Sequence, residues 1–283
     1  MVKNPGTTEN GGPTAVTPPL LSIQQVTRVF GGLVALSAVS FSVAAGEIVS
    51  LIGPNGAGKT TFFNCVTGVA APTAGAIFFR GEEITALAPH EITRKGIART
   101  FQNIRLFGPL SVIENVMIGR YIRSALPTMG TTLGALFRSR TFLQKERQLK
   151  TRSAELLDFV GLADRANVAA RHLAYGEQRR LEIARALGAD PGLLLLDEPA
   201  AGMNPTETQS LMTLVGQIRA QGITPFLIEH NMKMVMGISD RVIVFDHGIK
   251  IAEGAPDTIR NNPQVIEAYL GSGAPATAAR TVV

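Results

Sequence analysis

An α/β fold with a parallel sheet at its centre is predicted by three segments of the chain. Gly53–Thr60 reads Gly-Pro-Asn-Gly-Ala-Gly-Lys-Thr and directly follows the apolar run Ile48-Val49-Ser50-Leu51-Ile52, the strand, glycine-rich loop and helix order of a phosphate-binding unit. Leu193–Leu196 is a continuous apolar run that ends in Asp197-Glu198, as expected of a strand buried on both faces with an acidic tip. The second half then alternates, with a helix over Thr206–Ala220 and strands at Thr224–Ile228 and Val242–Phe245, the pattern of a sheet covered on both faces.

Taken from the N-terminus, residues 1–19 are rich in Gly, Pro, Thr and Asn and are expected to be a flexible tail, as are residues 272–283. Leu21–Phe30, Val39–Val43 and Thr73–Phe79 read as strands of a small antiparallel layer beside the parallel core. From about 103 to 173 the pattern turns helical. Val112-Ile113-Glu114-Asn115-Val116 starts a helix after Ser111, and Leu149, Ser153, Leu156, Leu157 and Val160 share one face of another. The segment Tyr121–Leu143 mixes Gly, Thr, Phe and Arg and is partly irregular on this reading. No internal repeat is visible.

The chemistry starts at the loop. Small residues at Gly53, Pro54, Asn55, Gly56, Ala57 and Gly58 let successive backbone N–H groups close round a β-phosphate, with a helix N-terminus pointing inward. Lys59 supplies a charge that bridges β- and γ-phosphates, the Thr60 hydroxyl is a candidate Mg²⁺ ligand, and Thr61 is a candidate α-phosphate contact. Asp197 is placed beside Mg²⁺. Glu198 falls where the strand opens into the crevice and is the candidate for orienting or deprotonating a water. Together these predict a P-loop nucleoside triphosphatase that uses Mg²⁺, and the loop alone does not say whether it is a kinase, a GTPase, a helicase or a transport ATPase.

Upstream of the acidic strand, Leu173-Ala174-Tyr175-Gly176-Glu177-Gln178-Arg179-Arg180 leads into the helical pattern Leu181–Leu187. This segment resembles the signature motif of ATP-binding-cassette (ABC) ATPases, and its form is similar to the LivG-type branch of branched-chain amino-acid importers. The similarity runs from about Leu20 to Leu270. It implies one cassette over residues 20–271, with a RecA-like parallel-sheet core, an antiparallel β subdomain and an inserted helical subdomain at about 103–173.

The resemblance also assigns roles. Ala174, Tyr175, Gly176 and Glu177 would offer a helix N-terminus to ATP held by an opposite subunit, so that one chain cannot complete a site. Thr100-Phe101-Gln102-Asn103 resembles the Q-loop, in which Gln102 would reach Mg²⁺ and the attacking water. Leu227-Ile228-Glu229-His230-Asn231 resembles the switch segment that delivers His230 to the γ-phosphate. Phe30 occupies the place of an aromatic ring under adenine, the bland alternative being a core phenylalanine. Asn204 stands in the D-loop where aspartate is usual. Ala174 lacks the usual serine hydroxyl, a hydrogen bond to charge worth about 1.5–3 kcal/mol, so the signature leans on its backbone N–H groups. The implied partners are a second ABC subunit, a paralogue or a second copy, transmembrane permease subunits and, indirectly, an external solute-binding protein. Leu106, Phe107 and Val116 are candidates for a groove that takes a short permease helix. His90, His172 and His247 match no catalytic motif.

The resemblance implies a peripheral protein at the cytoplasmic face of the cell membrane, and composition agrees with that. The chain has 283 residues, 45% of them apolar, enough for a sizeable core. Its one cysteine, Cys65, precludes an internal disulfide, which fits a reducing compartment. No apolar stretch approaches the roughly 18–20 residues of a spanning helix, and no secretory h-region opens the chain. The net charge of +5 comes from scattered basic residues, without the aromatic-interleaved stripe of a nucleic-acid binder, so nucleic acid is not an expected partner. The alternatives are a cassette of another transport system, of urea, amide or lipopolysaccharide type, or a soluble nucleic-acid-associated ATPase. The last class normally has two cassettes or long arms.

Overall fold

A computed structural model describes residues 18–121 and 140–270. The expected tails therefore lie almost wholly outside the described residues, as does most of the segment 121–143. In chain order, the first half contains β1 (Leu21–Phe30), β2 (Leu33–Val43), β3 (Val49–Ile52), α1 (Lys59–Val66), β4 (Ala74–Phe79), β5 (Glu82–Glu83), α2 (Pro89–Lys95), β6 (Ile97–Arg99) and α3 (Val112–Tyr121). After it come α4 (Arg140–Phe159), α5 (Tyr175–Leu187), β7 (Leu193–Asp197), α6 (Pro205–Ala220), β8 (Thr224–Ile228), α7 (Met232–Ile238), β9 (Arg241–Asp246), β10 (Ile249–Gly254), α8 (Pro256–Arg260) and α9 (Pro263–Leu270).

Two sheets result. An antiparallel sheet has the order β2-β1-β4-β5, and the central sheet has the order β10-β9-β3-β8-β7-β6. Within the central sheet β9, β3, β8, β7 and β6 run parallel, while β10 returns antiparallel on β9. The all-apolar composition of β7 follows from its two buried faces. Leu193 and Leu195 join the cluster shared with the antiparallel sheet, whereas Leu194 and Leu196 join the cluster under the helices α3, α5 and α6. β8 divides in the same way, Phe226 and Ile228 to one side and Leu227 to the other.

The helix behind the phosphate loop is anchored by its two phenylalanines. Phe62 and Phe63 are fully buried among Phe41, Phe226 and Phe245, with Phe63 edge-on to Phe226 at a centroid distance of 5.3 Å. α1 is thus pinned to β8 and β9, and the loop before it is held at the tip of β3. α3 starts where Ser111 predicts. The backbone N–H and hydroxyl of Ser111 both donate to the Glu114 carboxylate, at 2.7 and 2.6 Å.

The parallel order places the ends of β3, β8 and β7 side by side. β3 ends in the phosphate loop, β8 in Glu229-His230 and β7 in Asp197-Glu198. Three segments far apart in sequence therefore meet at the carboxyl edge of one sheet, where α/β proteins bind ligands. Among the described residues no helix is long and apolar enough to cross a membrane.

Candidate active site

The loop is shaped by glycines at positive φ. A Cβ on Gly53 (φ +150°) would lie 2.1 Å from the Phe245 carbonyl oxygen, and one on Gly58 (φ +96°) would lie 2.5 Å from that of Ala35. Lys59 folds back over the loop, its Nζ donating to the carbonyls of Gly53 at 2.7 Å and Pro54 at 2.9 Å. Burial lowers its pKa, and the nearby Glu198 and Asp197 carboxylates oppose that shift. No side chain caps α1 at Gly58, so the leading N–H groups of the helix remain for an anion.

A cleft of about 560 Å³ opens over the loop. Asn55, Gly56, Ala57, Gly58, Lys59, Thr60, Thr61, Phe30, Gln102, Glu198 and His230 all line it. Glu198, itself at a positive φ of 47°, is held from two sides. Gln102 Nε2 donates to its Oε2 at 2.9 Å, and His230 Nε2 lies 3.0 Å from its Oε1. Behind His230, the buried Glu229 accepts backbone N–H bonds from Ala200, His230 and Asn231 at 2.8, 3.0 and 3.2 Å, tying the end of β8 to the loop after β7. Burial raises the Glu229 pKa against these bonds.

Asp197 sits deeper, beneath the cleft lining. Its Oδ2 accepts from Arg99 Nη2 at 2.7 Å, while its Oδ1 is buried without a partner. Asp197 lies close enough to Lys59 to act on its charge, and its orphaned oxygen and the exposed Thr60 hydroxyl are donors of the kind Mg²⁺ takes together with phosphate oxygens. Phe30 is 45% exposed, against the core alternative, and the Arg28 guanidinium lies 4.4 Å from its ring centroid.

The signature residues lie apart from this cleft. Ala174 precedes α5, where no side chain caps the first turn and only Glu177 reaches back, accepting the Ala174 N–H at 3.0 Å. Tyr175 turns its hydroxyl inward to accept from Arg179, and its ring packs near Gly202. Gly176 faces the Glu207 carboxylate. Asn204 is spent on capping α6. Its Oδ1 accepts from Glu207 N while its own N–H donates to Glu207, both at 2.9 Å.

Several contributors were not legible in the sequence. Arg179 is buried and donates to the carbonyls of Phe101 at 2.9 Å and Gln102 at 2.5 Å, clamping the Q-loop to the signature helix. Glu182 extends the clamp by accepting the Arg105 N–H at 2.8 Å. His247, expected to be an ordinary polar residue, lines the cleft together with Leu33 and Val34. The signal for it was the His247-Gly248 pair between β9 and β10, at φ 44° and 81°, a tight hairpin turn. That turn rests on the phosphate loop through Gly248 N to Ala57 O at 3.2 Å.

A second, largely apolar groove of about 350 Å³ lies behind the Q-loop, with Val69, Phe101, Phe107 and Ile118 in its walls and Arg99 and Arg185 among its polar groups. Phe107 lines it as expected. Leu106 does not, being partly buried against the helical core, and Val116 is corrected outright: it is fully buried, on the face of α3 turned to the core.

Comparison with known proteins places this geometry. A family model described as ABC transporter matches residues 36–201, and one described as branched-chain amino acid ATP-binding cassette transporter matches residues 250–275. The high-affinity branched-chain amino acid transport ATP-binding protein BraF of Pseudomonas aeruginosa is 47% identical over 255 residues, covering 89% of this chain and 98% of BraF. LivG of Escherichia coli K12, described in the same words, is 46% identical over 256 residues with the same coverage. Among solved structures, the ADP conformation of MJ1267, an ATP-binding cassette of an ABC transporter, superposes with a TM-score of 0.78 at 32% identity, covering 90% of this chain and all of that one. A parallel sheet with the glycine-rich loop, the acidic strand tip and His230 at one edge, the start of α5 lying elsewhere, and these similarities lead to one assignment: the chain belongs to the ABC transporter family, as an ATP-binding cassette.

Proposed function

We propose that this chain is the ATP-hydrolysing subunit of an importer for branched-chain amino acids, acting at the cytoplasmic face of the membrane as one of two cassettes. The observation that carries the catalytic part is the single cluster of Gln102, Glu198 and His230 over a complete phosphate loop. The solute rests on the names of the relatives and on the branched-chain cassette match at the C-terminal end.

In this reading Phe30 stacks under adenine, with Leu33 and Val34 extending an apolar shelf. The loop N–H groups and Lys59 hold the phosphates, so Lys59 leaves the Gly53 and Pro54 carbonyls when ATP enters. Thr60, Asp197 Oδ1 and the Gln102 amide would hold Mg²⁺, which when bound neutralises charge on the β- and γ-phosphate oxygens. Glu198 accepts a proton from water as the water oxygen attacks the γ-phosphorus and the bond to the ADP oxygen breaks. His230 donates to the γ-phosphate oxygens and keeps Glu198 in place.

The position of the signature supports this assembly. Ala174, Tyr175, Gly176 and Glu177 do not face this chain's own cleft, and the uncapped start of α5 would bind ATP seated on the other cassette. The groove that includes Phe101 and Phe107 would receive a short helix of the permease, and an external solute-binding protein would deliver the amino acid to it. Closure on ATP and reopening after hydrolysis would then drive the permease.

ATP hydrolysis measured against protein concentration, with particle size followed in parallel, tests the reading. A rate rising more steeply than linearly, with ATP-dependent dimers alone or with a paralogous cassette, is the expected result. Undiminished turnover by an isolated monomer at high dilution would refute the shared site. Uptake of labelled leucine by vesicles holding the assembled transporter tests the solute separately.

A further inference from the structure

The buried cation nearest the acidic tip has no role in the reading above, and its surroundings are unlike those of a simple structural ion pair. Arg99 ends β6, and its side chain is 5% exposed against 3% for that of Asp197. Nη2 donates to Asp197 Oδ2 at 2.7 Å, and Nη1 donates to Asn64 Oδ1 on α1 at 2.7 Å. The guanidinium carbon also lies 5.4 Å from the Phe63 ring centroid and 5.2 Å from that of Phe101. One planar group therefore joins the helix behind the phosphate loop, the acidic strand and the start of the Q-loop.

A buried pair that serves only stability satisfies its own polar atoms. This one does not: Asp197 Oδ1 and Arg99 Nε are both buried and unpartnered, and of the two only the carboxylate oxygen can take a cation. Fixing Oδ2 fixes the carboxylate plane, and with it the direction in which Oδ1 is offered. We propose that Arg99 is a positioning residue for the metal-dependent step: by holding Oδ2 of Asp197 it reserves Oδ1 for the Mg²⁺ that accompanies ATP. The inference rests on the nucleotide reading above and deepens it. Arg99 also borders the groove behind the Q-loop, so the side chain that sets the carboxylate is within reach of whatever occupies that groove.

The test uses the full chain and ATP titrations by calorimetry, once in EDTA and once at saturating Mg²⁺. The ratio of the two Kd values measures how strongly metal and nucleotide support each other, without reference to turnover. Arg99→Met is expected to shrink that ratio about tenfold, the lower end of losses seen when an outer partner of a metal ligand is removed. Its Kd in EDTA should stay within about twofold of wild type. Arg99→Lys keeps the cation without the fork and should fall between.

An unchanged ratio in Arg99→Met overturns the proposal. So does an enlarged ratio, which would make Arg99 merely a charge that opposes the cation, and so does an equal loss of ATP affinity with and without metal, which would mark a general structural role. Should Arg99→Met not fold, an unchanged ratio in Arg99→Lys overturns it instead. A wild-type chain that binds ATP equally well in both conditions removes this proposal alone. A wild-type chain that binds no ATP removes the nucleotide reading as well.

Discussion

His230 Nε2 and Glu198 Oε1 stand 3.0 Å apart, and the opposite oxygen of the same carboxylate is taken by Gln102. The group assigned to activating water is thus engaged on both sides before substrate arrives, and arriving ATP and water must share or displace those contacts. Glu198→Gln preserves an acceptor for either neighbour but cannot take a proton. It should lower ATP hydrolysis by about 10²–10⁴-fold with ATP affinity unchanged, and should accumulate ATP-bound dimers. Parallel rate and binding measurements decide the matter, and an equal loss in both would remove Glu198 from the proton-accepting role.

The two glycines at the start and middle of the loop should respond differently to alanine. At Gly56 (φ +82°) a Cβ meets nothing within 4 Å, leaving only backbone strain of about 1–2 kcal/mol. At Gly53 the same methyl strikes the Phe245 carbonyl of β9, so Gly53→Ala adds a displaced strand to the strain. Urea midpoints should fall further for Gly53→Ala than for Gly56→Ala. Equal shifts would mean that β9 yields freely.

Arg179 has two separable duties. Its charge compensates Glu182, whose side chain is 1% exposed, at 3.3 Å, while its fork holds the Phe101 and Gln102 carbonyls. Arg179→Met should destabilise the chain, by up to about 3–5 kcal/mol, because the buried Glu182 carboxylate would keep only the more distant Arg185, at 3.8 Å, as a cationic partner, and it should also slow hydrolysis. Adding Glu182→Leu should recover stability in urea unfolding but not the rate. Recovery of both would mean that the hold on the Q-loop is immaterial.

Burial lifts the Glu229 pKa above its ordinary value, so over the interval between the two values the folded chain binds more protons than the unfolded one. Stability contributed by this group is therefore present at the acid end and is lost as pH rises through the raised value. Glu229→Gln should remove that descending component, so the difference in unfolding free energy between wild type and variant should slope across the interval. A difference that stays flat with pH would contradict the assignment.

Phe30→Ala should weaken ATP binding by about 1–3 kcal/mol, the range for a base stacked on an aromatic ring, with little change in fold because the ring is 45% exposed. Phe30→Tyr should bind as wild type does. A comparison of ATP with inorganic triphosphate separates stacking from phosphate recognition: the alanine variant should lose affinity only for ATP.

Much of the site was legible because its chemistry is local. A run of glycines, a lysine and a threonine declare a phosphate loop, and a buried strand with two acids at its end declares the facing tip. The contributors that escaped notice are those whose meaning depends on distant partners. Arg99 and Asp197 are 98 positions apart, and Arg179 and Phe101 are 78 apart, so neither arginine differs in sequence from a solvated basic residue. Val116 failed for another reason. α3 carries apolar residues round much of its circumference, with Val112, Ile113 and Val116 all buried, and periodicity there does not say which side meets the core and which a groove. His247 reached the cleft through a hairpin whose second strand, β10, was not anticipated.

The strand that leads into Gln102 lies at one rim of the central sheet. β3, β8 and β7 each have a hydrogen-bonded neighbour on both sides, whereas β6 has three residues and, among the described strands, pairs only with β7. The Q-loop hangs from that rim strand. On the proposed reading nucleotide would be gripped by the middle of the sheet, and the segment that would answer to the permease leaves from the rim, where a strand has one hydrogen-bonded neighbour fewer. A displaced Gln102 would then leave the pairing of β3 with β8 and β9 intact, so the strand that carries the phosphate loop would keep both of its neighbours.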